Sequence, residues 1–220
     1  MAKKYNSQQT IESILSVSAE LFNEKGYENT SMQDIVNALR MSKGAIFHHF
    51  TSKEDILKTV AHRQAEHDNQ MRCQWLDEMQ GLTAKEKLVG LLERNIRSEH
   101  IRSFNSMLYT QLVSPHIVIT LMQNSVNIVA PQFAKIMREG VNDGSITTEY
   151  PEECAEVFIL LHNIWCTHTI FERESFTTIR KLKYLQQVMK SMGADIISDS
   201  LIHEYMQFIE NEKSLKNNSN

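Results

Sequence analysis

The sequence predicts an all-α protein, and three observations carry that expectation. Hydrophobic residues make up 41% of the 220 positions, whereas only seven glycines and three prolines interrupt them, so helix breakers are scarce. Apolar side chains recur at i, i+3 and i+4 rather than alternating. Ser or Thr followed three residues on by an acid marks helix starts in several places. The chain is long enough for a sizeable core in one large or two modest domains. We divide it into a small domain over residues 1–51, a larger helical domain over 52–212, and a frayed tail, KSLKNNSN, over 213–220.

The first helix is marked by Ile11, Ile14, Leu15, Val17, Ser18, Ala19, Leu21 and Phe22, with Gly26 closing the run at a C′ position before Tyr27. Ser31 with Asp34 then opens a short helix whose apolar face is Ile35, Val36 and Leu39. Ser42 caps another, carrying Lys43, Gly44, Ala45, Ile46, Phe47, His48 and His49. Ile46 and Phe50 are expected in the core. Only Leu39 to Ser42 separate the two short helices. That spacing is a helix-turn-helix, which presents the N-terminal residues of its second helix to the major groove.

Thr51-Ser52-Lys53-Glu54-Asp55 restarts a helix with a cap and two acids in its first turn. No strong breaker follows before Gly81, so a helix of about forty ångströms is expected from Ser52 to about Gln80. It would couple the small domain to the rest. Thr83 to Glu86 is a further capping box, ahead of Leu88, Leu91, Leu92 and Ile96. Pro115 and Pro131 each open a segment, and Asn142-Asp143-Gly144 marks a turn region. Glu152 to Arg173 is apolar on more than one side, through Val157, Phe158, Leu160, Leu161, Ile164, Trp165, Thr169 and Phe171. Such a helix must bury two faces. Leu182 to Met192 and Ile196 to Ile209 complete the helical pieces.

The stretch ILSVSAELFNEKGYENTSMQDIVNALRMSKGAIFHHFTSKEDIL resembles the DNA-binding domain of the tetracycline-repressor (TetR) family of bacterial transcription regulators. The likeness lies in the Leu-Phe…Gly-Tyr…Thr-Ser…Ile order, the Ser-Lys-Gly before the second short helix, and the Phe-x-x-Phe-x-Ser-Lys-Glu that ends it. It spans roughly the first quarter of the chain. REGVNDGSITTEYPEECAEVF further on resembles a loop and core helix of the same family.

The resemblance implies that Lys43 and Gly44 approach base edges, that Phe47, His48 and His49 meet bases or phosphates, and that Ser31 and Lys53 contact the backbone. Gln33 and Ser42 complete the expected DNA-facing set. Two residues depart from the family pattern. Phe47 replaces a usual tyrosine and keeps only an apolar surface, fit for a thymine methyl. Arg40 stands where a glycine is usual, and a left-handed conformation there would cost about 1 kcal/mol.

Charge narrows how DNA would be held. The net charge is −4. In residues 1–60, seven bases (Lys3, Lys4, Lys25, Arg40, Lys43, Lys53, Lys58) meet seven acids (Glu12, Glu20, Glu24, Glu28, Asp34, Glu54, Asp55). Binding therefore rests on locally placed cations and dimerisation, not on bulk charge. The same neutrality leaves open a protein-binding use of the helix-turn-helix. Cys73, Cys154 and Cys166 lack a CxxC spacing, which fits the reducing cytoplasm. No apolar run approaches membrane-spanning length.

An enzyme is the rival class, for instance a helical metal-dependent hydrolase using His62, His67 and Asp68. The sequence lacks His-Glu-x-x-His, Glu-x-x-His, a Gly-rich phosphate loop and Gly-x-Ser-x-Gly. We expect no catalytic residues, no metal and no cofactor.

The larger domain is expected to hold a small apolar or amphipathic effector among Trp75, Phe104, Met107, Tyr109, Met122, Phe133, His162, Trp165 and Cys166. Plain core packing is the competing reading for each. His162 and Cys166, four apart, would share one helix face. A homodimer interface is expected through Phe158, Leu161, Trp165, Ile202 and Met206. One recognition helix reads few bases, and a two-fold pair reads a palindrome. The resemblance implies a repressor released from its operator when the effector resets the helix beginning near Ser52. A coupling of about 1–3 kcal/mol changes affinity about five- to a hundred-and-fifty-fold.

Overall fold

The computed structural model describes residues 7–98, 115–167, 169–171, 174 and 176–217. Within them the chain is helical, with no strand. The small domain holds α1 (Ser7–Lys25), α2 (Met32–Leu39) and α3 (Lys43–Phe47), followed by the long α4 (Lys53–Glu78). The larger domain adds α5 (Ala84–Arg97), α6 (Pro115–Asn124), α7 (Ala130–Asp143), α8 (Pro151–Leu160), α9 (Phe176–Ser191) and α10 (Asp199–Asn217).

Two hydrophobic cores follow from the apolar faces. The smaller gathers Ile14, Phe22, Tyr27, Ile35, Ile46 and Phe50 with Ile56, Leu57 and Val60 of α4. Phe22 and Tyr27 meet edge-to-face at 5.3 Å, a favoured aromatic geometry. Ile117 of α6 is also sunk in this core at 1% exposure. The larger domain thus grips the smaller through α4 and through Ile117, Val118 and Leu121 of α6. The second core packs α5, α7, α8, α9 and α10 around Leu88, Leu91, Phe133, Met137, Phe158 and Leu185.

Local chemistry sets the joints. Thr83 and Glu86 form the expected capping box of α5, and the Ala84 N–H donates to Asp143 Oδ2 at 2.8 Å, so the turn after α7 helps cap α5. Gly193, at φ 81°, sits where a Cβ would lie 2.6 Å from Thr147 Oγ1 and 2.8 Å from the Thr148 nitrogen. Only glycine allows that approach, which lets the Thr147 N–H donate to the Gly193 carbonyl at 2.9 Å.

Two expectations need correction. The helix expected over Glu152 to Arg173 ends sooner: α8 widens into a π turn over Leu161–Trp165, with the Cys166 N–H reaching back to the Leu161 carbonyl at 2.8 Å. A second π turn, Ser125–Val129, joins α6 to α7. The two are tied by Asn163 Nδ2 donating to Ser125 Oγ at 3.2 Å, a polar contact that hydropathy spacing does not reveal. Lastly, α10 runs through Asn217 into the segment expected as a frayed tail.

Candidate nucleic-acid interface

The helix-turn-helix is built from three successive caps. Ser31 Oγ accepts from the Asp34 N–H at 3.1 Å, and the Ser31 N–H donates to Asp34 Oδ2 at 2.8 Å. This is a complete capping box at the start of α2. The Ser31 hydroxyl also meets the Asp34 carboxylate, and Lys25 Nζ lies 3.1 Å from it. These donors hold the Asp34 carboxyl down at about 2. Ser42 Oγ accepts from the Ala45 N–H at 3.3 Å to start α3, and Ser52 Oγ accepts from the Asp55 N–H at 3.1 Å to start α4.

Between α2 and α3 the chain reverses at Arg40, whose φ of 52° and ψ of 35° are left-handed. It is the one non-glycine residue with positive φ among those described. The expected conformation is therefore adopted without the glycine that relieves it. Arg40 itself is exposed, adding a cation at the turn.

The outcome is a short α3 with its leading turn in solvent. Lys43, Gly44 and His48 are exposed and Phe47 is 37% exposed, while Ile46 and Phe50 are buried at 0% and 5%. A Cβ on Gly44 would meet nothing, so this spot is open to an approaching surface. Lys43 Nζ rests 5.4 Å from the Phe47 ring centre. The rings of His48 and His49 meet edge-on at 5.0 Å, and His49 is half-buried. Ser31, Gln33 and Ser42 are exposed, with Gln33 Nε2 donating to Asn37 Oδ1 at 2.9 Å.

Lys53 behaves differently from the expected phosphate contact. Its ammonium donates to the carbonyls of Tyr27 at 2.8 Å and Glu28 at 3.2 Å, and lies 4.3 Å from the Tyr27 ring centre. Those carbonyls lie just beyond α1; that of Tyr27 also accepts from the Thr30 N–H at 3.2 Å, and the cation adds a second donor to it and one to Glu28. Two of its three N–H groups are thereby committed inside the domain.

Residues 14–60, which span this unit from α1 to the first turns of α4, match the family model described as bacterial regulatory proteins, tetR family. Over these residues the chain matches the TetR family. The A-factor receptor protein of Streptomyces griseus is 36% identical over 64 residues, which is 29% of this chain and 23% of that one. The transcriptional regulator AcrR of Shigella flexneri is 25% identical over 109 residues, 48% of this chain and 51% of that one. The chain thus spans about a quarter and about half of the length of these two relatives. The fold extends further than the sequence likeness: RolR, solved in complex with resorcinol, superposes with a TM-score of 0.61 at 15% identity, covering 90% of this chain and 94% of that one.

In the larger domain the residues expected around an effector are dispersed. Phe104, Met107 and Tyr109 lie outside the described residues. Met122 is 42% exposed on α6. Trp75 packs on the large core. Trp165 meets Tyr184 edge-on at 6.0 Å. Phe133 alone among the described members lines a cleft of about 350 Å³ between α4, α5 and α7, together with Arg72, Cys73, Leu76, Lys87 and Gln132. Sequence reading passed over Arg72 and Gln132, because a polar residue on a long helix looks solvated until the packing is known.

His162 lies in the π turn and Cys166 directly follows it. The His162 ring stacks on Phe158 at 5.5 Å. Its Nδ1 lies 2.9 Å from Asn163 Oδ1 and its Nε2 lies 2.6 Å from the Tyr205 hydroxyl. An amide oxygen only accepts, so Nδ1 carries the proton and Nε2 accepts from Tyr205. Burial lowers the His162 pKa and keeps the ring neutral. Cys166 is buried, with its thiol pushed up to about 12. Among the described residues no group of three or more His, Cys, Asp or Glu is placed to hold a metal, and no helix is long and apolar enough to cross a membrane.

Two of the residues expected between copies are spent inside the chain: Phe158 is 0% exposed and Ile202 is 5% exposed. Both are taken by the large core, because α8 and α10 pack their apolar stripes on neighbouring helices first. Leu161 and Trp165 remain half-buried, and Met206 is 38% exposed.

Proposed function

We propose that this chain is a ligand-responsive transcriptional regulator of the cytoplasm: a homodimer that represses from a palindromic operator and is released by a small apolar or amphipathic effector. The observation that carries the reading is the presentation of α3. Ser42 caps it, Arg40 turns the chain into it, Ile46 and Phe50 anchor its rear, and Lys43 and Gly44 stand exposed at its start. In this geometry a helix-turn-helix meets the major groove. Lys43 reads a base edge, Phe47 and His48 border it, and Ser31, Gln33, Ser42 and His49 flank the phosphates.

The path from effector to DNA runs along α4. That helix supplies Ile56, Leu57 and Val60 to the small core and Arg72, Cys73 and Leu76 to the cleft. An effector that prefers one placement of α4 biases where α3 sits in each subunit. The names of two similar proteins, a receptor for A-factor and RolR bound to resorcinol, support a small organic effector. Copies pair through apolar surface left on the larger domain, including Val157, Leu161, Trp165, Tyr184 and Met206.

Genomic fragments retained by the purified protein at physiological salt test this reading, with Lys43→Ala as the control. The expected result is a palindromic fragment held by the parent, with affinity and base preference at one position lost in Lys43→Ala. A folded protein that retains no specific fragment at any salt, with or without small-molecule extracts, would overturn it.

A further inference from the structure

The cleft between α4, α5 and α7 has an apolar floor, with Leu76, Leu91, Phe133 and Ile136, and a polar wall that is incompletely satisfied. Arg72 lies in that wall and is only 6% exposed. Its Nε donates to Gln132 Oε1 at 3.2 Å, whereas its buried Nη2 has no hydrogen-bond partner. Burial lowers the pKa of the guanidinium, and the nearby Asp68 charge opposes this. An arginine remains protonated under such conditions. A buried cation with one N–H group unpartnered beside an apolar cleft is a costly arrangement unless something completes it.

The surrounding charges are mixed, which decides the size of the missing group. Lys87 and Glu139 lie 3.8 Å apart and offset one another, and Lys135 and Asp77, which also line the cleft, are of opposite sign. A multiply charged anion therefore finds no excess of cations beyond Arg72. One carboxylate matches one guanidinium, and the fork geometry favours it over a hydroxyl.

We propose that this cleft takes an amphipathic monocarboxylate, its acid group on Arg72 and its hydrocarbon over Leu76, Leu91 and Phe133. This rests on the ligand-responsive reading above and narrows it to a chemical class. Arg72 lies 19 residues beyond Lys53 on α4, roughly 28 Å along the helix axis. The acid group thus grips the helix whose other end carries the DNA-facing domain.

Octanoate, 1-octanol and the full-length protein test the assignment by titration calorimetry, with a second reading from Cys73. Cys73 is exposed and lines the same cleft, while Cys154 and Cys166 are buried, so its alkylation rate reports occupancy. The expected result is octanoate binding about tenfold or more tighter than octanol, with slowed Cys73 alkylation and the preference abolished in Arg72→Met. Gln132→Leu, which keeps the guanidinium, is expected to keep the preference and covers the case in which Arg72→Met does not fold. Equal affinity for the two probes, a preference that survives Arg72→Met, loss of preference in Gln132→Leu, or binding that leaves Cys73 alkylation unchanged would each overturn it. Fragment retention without octanoate is scored separately. A protein that holds its operator but ignores octanoate defeats only the carboxylate assignment, and one that binds octanoate but no DNA defeats only the regulator reading.

Discussion

Lys53 closes over Tyr27: its ammonium lies 2.8 Å from the Tyr27 carbonyl oxygen and 4.3 Å from the centre of the ring. The first residue of α4 is thereby bolted to the segment that ends α1. Lys53→Met removes a charge-assisted hydrogen bond pair and a cation–π contact, and is expected to lower stability by about 1–2 kcal/mol. Lys43→Ala removes a solvent-exposed cation and should leave the melting temperature unchanged. On DNA the order reverses. Lys43→Ala is expected to reduce the salt dependence of binding by about one ion, whereas Lys53→Met should weaken binding with the salt slope nearly intact. Thermal melts and salt titrations of the two variants check this, and equal stability losses would remove the structural role assigned to Lys53.

Arg40 gives a second handle on the same unit. Its left-handed backbone is disfavoured for any side chain. Arg40→Gly is expected to stabilise the fold by about 0.5–1 kcal/mol, since relief of strain exceeds the added freedom of the unfolded chain. A domain of this size then melts about 2–4 °C higher per kcal/mol. If the exposed guanidinium also meets a phosphate, the same variant binds DNA more weakly while melting higher, and the two readouts separate conformation from contact.

Acid should unpick the helix starts. Asp34 is held at about 2 against an ordinary 3.8, first by the Ser31 hydroxyl, then by the Ser31 backbone and Lys25. Glu86 and Asp143 are lowered too, by the backbone and hydroxyl of Thr83 and by Ser145 with the Ala84 N–H respectively. A depressed carboxylate pKa means that the unfolded chain takes up the proton first, so its stabilisation is present above about pH 4 and fades as pH falls toward 2. Urea midpoints measured across that range should decline, and Asp34→Asn should flatten the decline. An unchanged slope in Asp34→Asn would show that the capping box does not set the acid limb.

Much of the small domain was legible because its signals are local. Ser31, Ser42 and Ser52 cap the helices that their spacing announced, and Ile46 and Phe50 are buried as expected. The larger domain was less legible because its decisive contacts are remote in sequence. Nothing within a helical turn of Asn163 points to Ser125, and hydropathy made one helix of a segment that a π turn ends at Trp165. Lys53 shows a third limit. Its place in the motif was right, but the direction of its side chain depended on carbonyls 25 and 26 residues earlier.

The proposed pairing of copies turns on side chains that the chain's own core leaves exposed. Val157 on α8 is 36% exposed and Met206 on α10 is 38% exposed, whereas their neighbours Phe158 and Ile202 are buried. Val157→Glu with Met206→Glu places two charges on apolar surface without touching the core. Burying such charges against a second copy without partners is strongly unfavourable. Sedimentation velocity is expected to show a dimer for the parent and a monomer for the pair variant at micromolar concentration, with an unchanged helical spectrum. A pair variant that remains fully dimeric would move the interface to another face of the larger domain.

The three thiols offer a check on the packing that needs no ligand and no DNA. Cys73 is exposed on α4, and its Sγ lies 3.7 Å from Asn69 Oδ1. Cys154 and Cys166 are buried, and burial raises both pKa values, that of Cys166 to about 12. Reaction with a disulfide reagent requires both access and thiolate. One thiol per chain is therefore expected to react rapidly in the native protein and three after denaturation. Rapid reaction at Cys166 in the native state would mean that the π turn before it opens readily, which would loosen the link through Asn163 and Ser125 between the end of α8 and the joint of α6 with α7. Slow reaction instead leaves that turn as a fixed joint, so that the proposed coupling has to pass through the elements that reach the small core, α4 and α6.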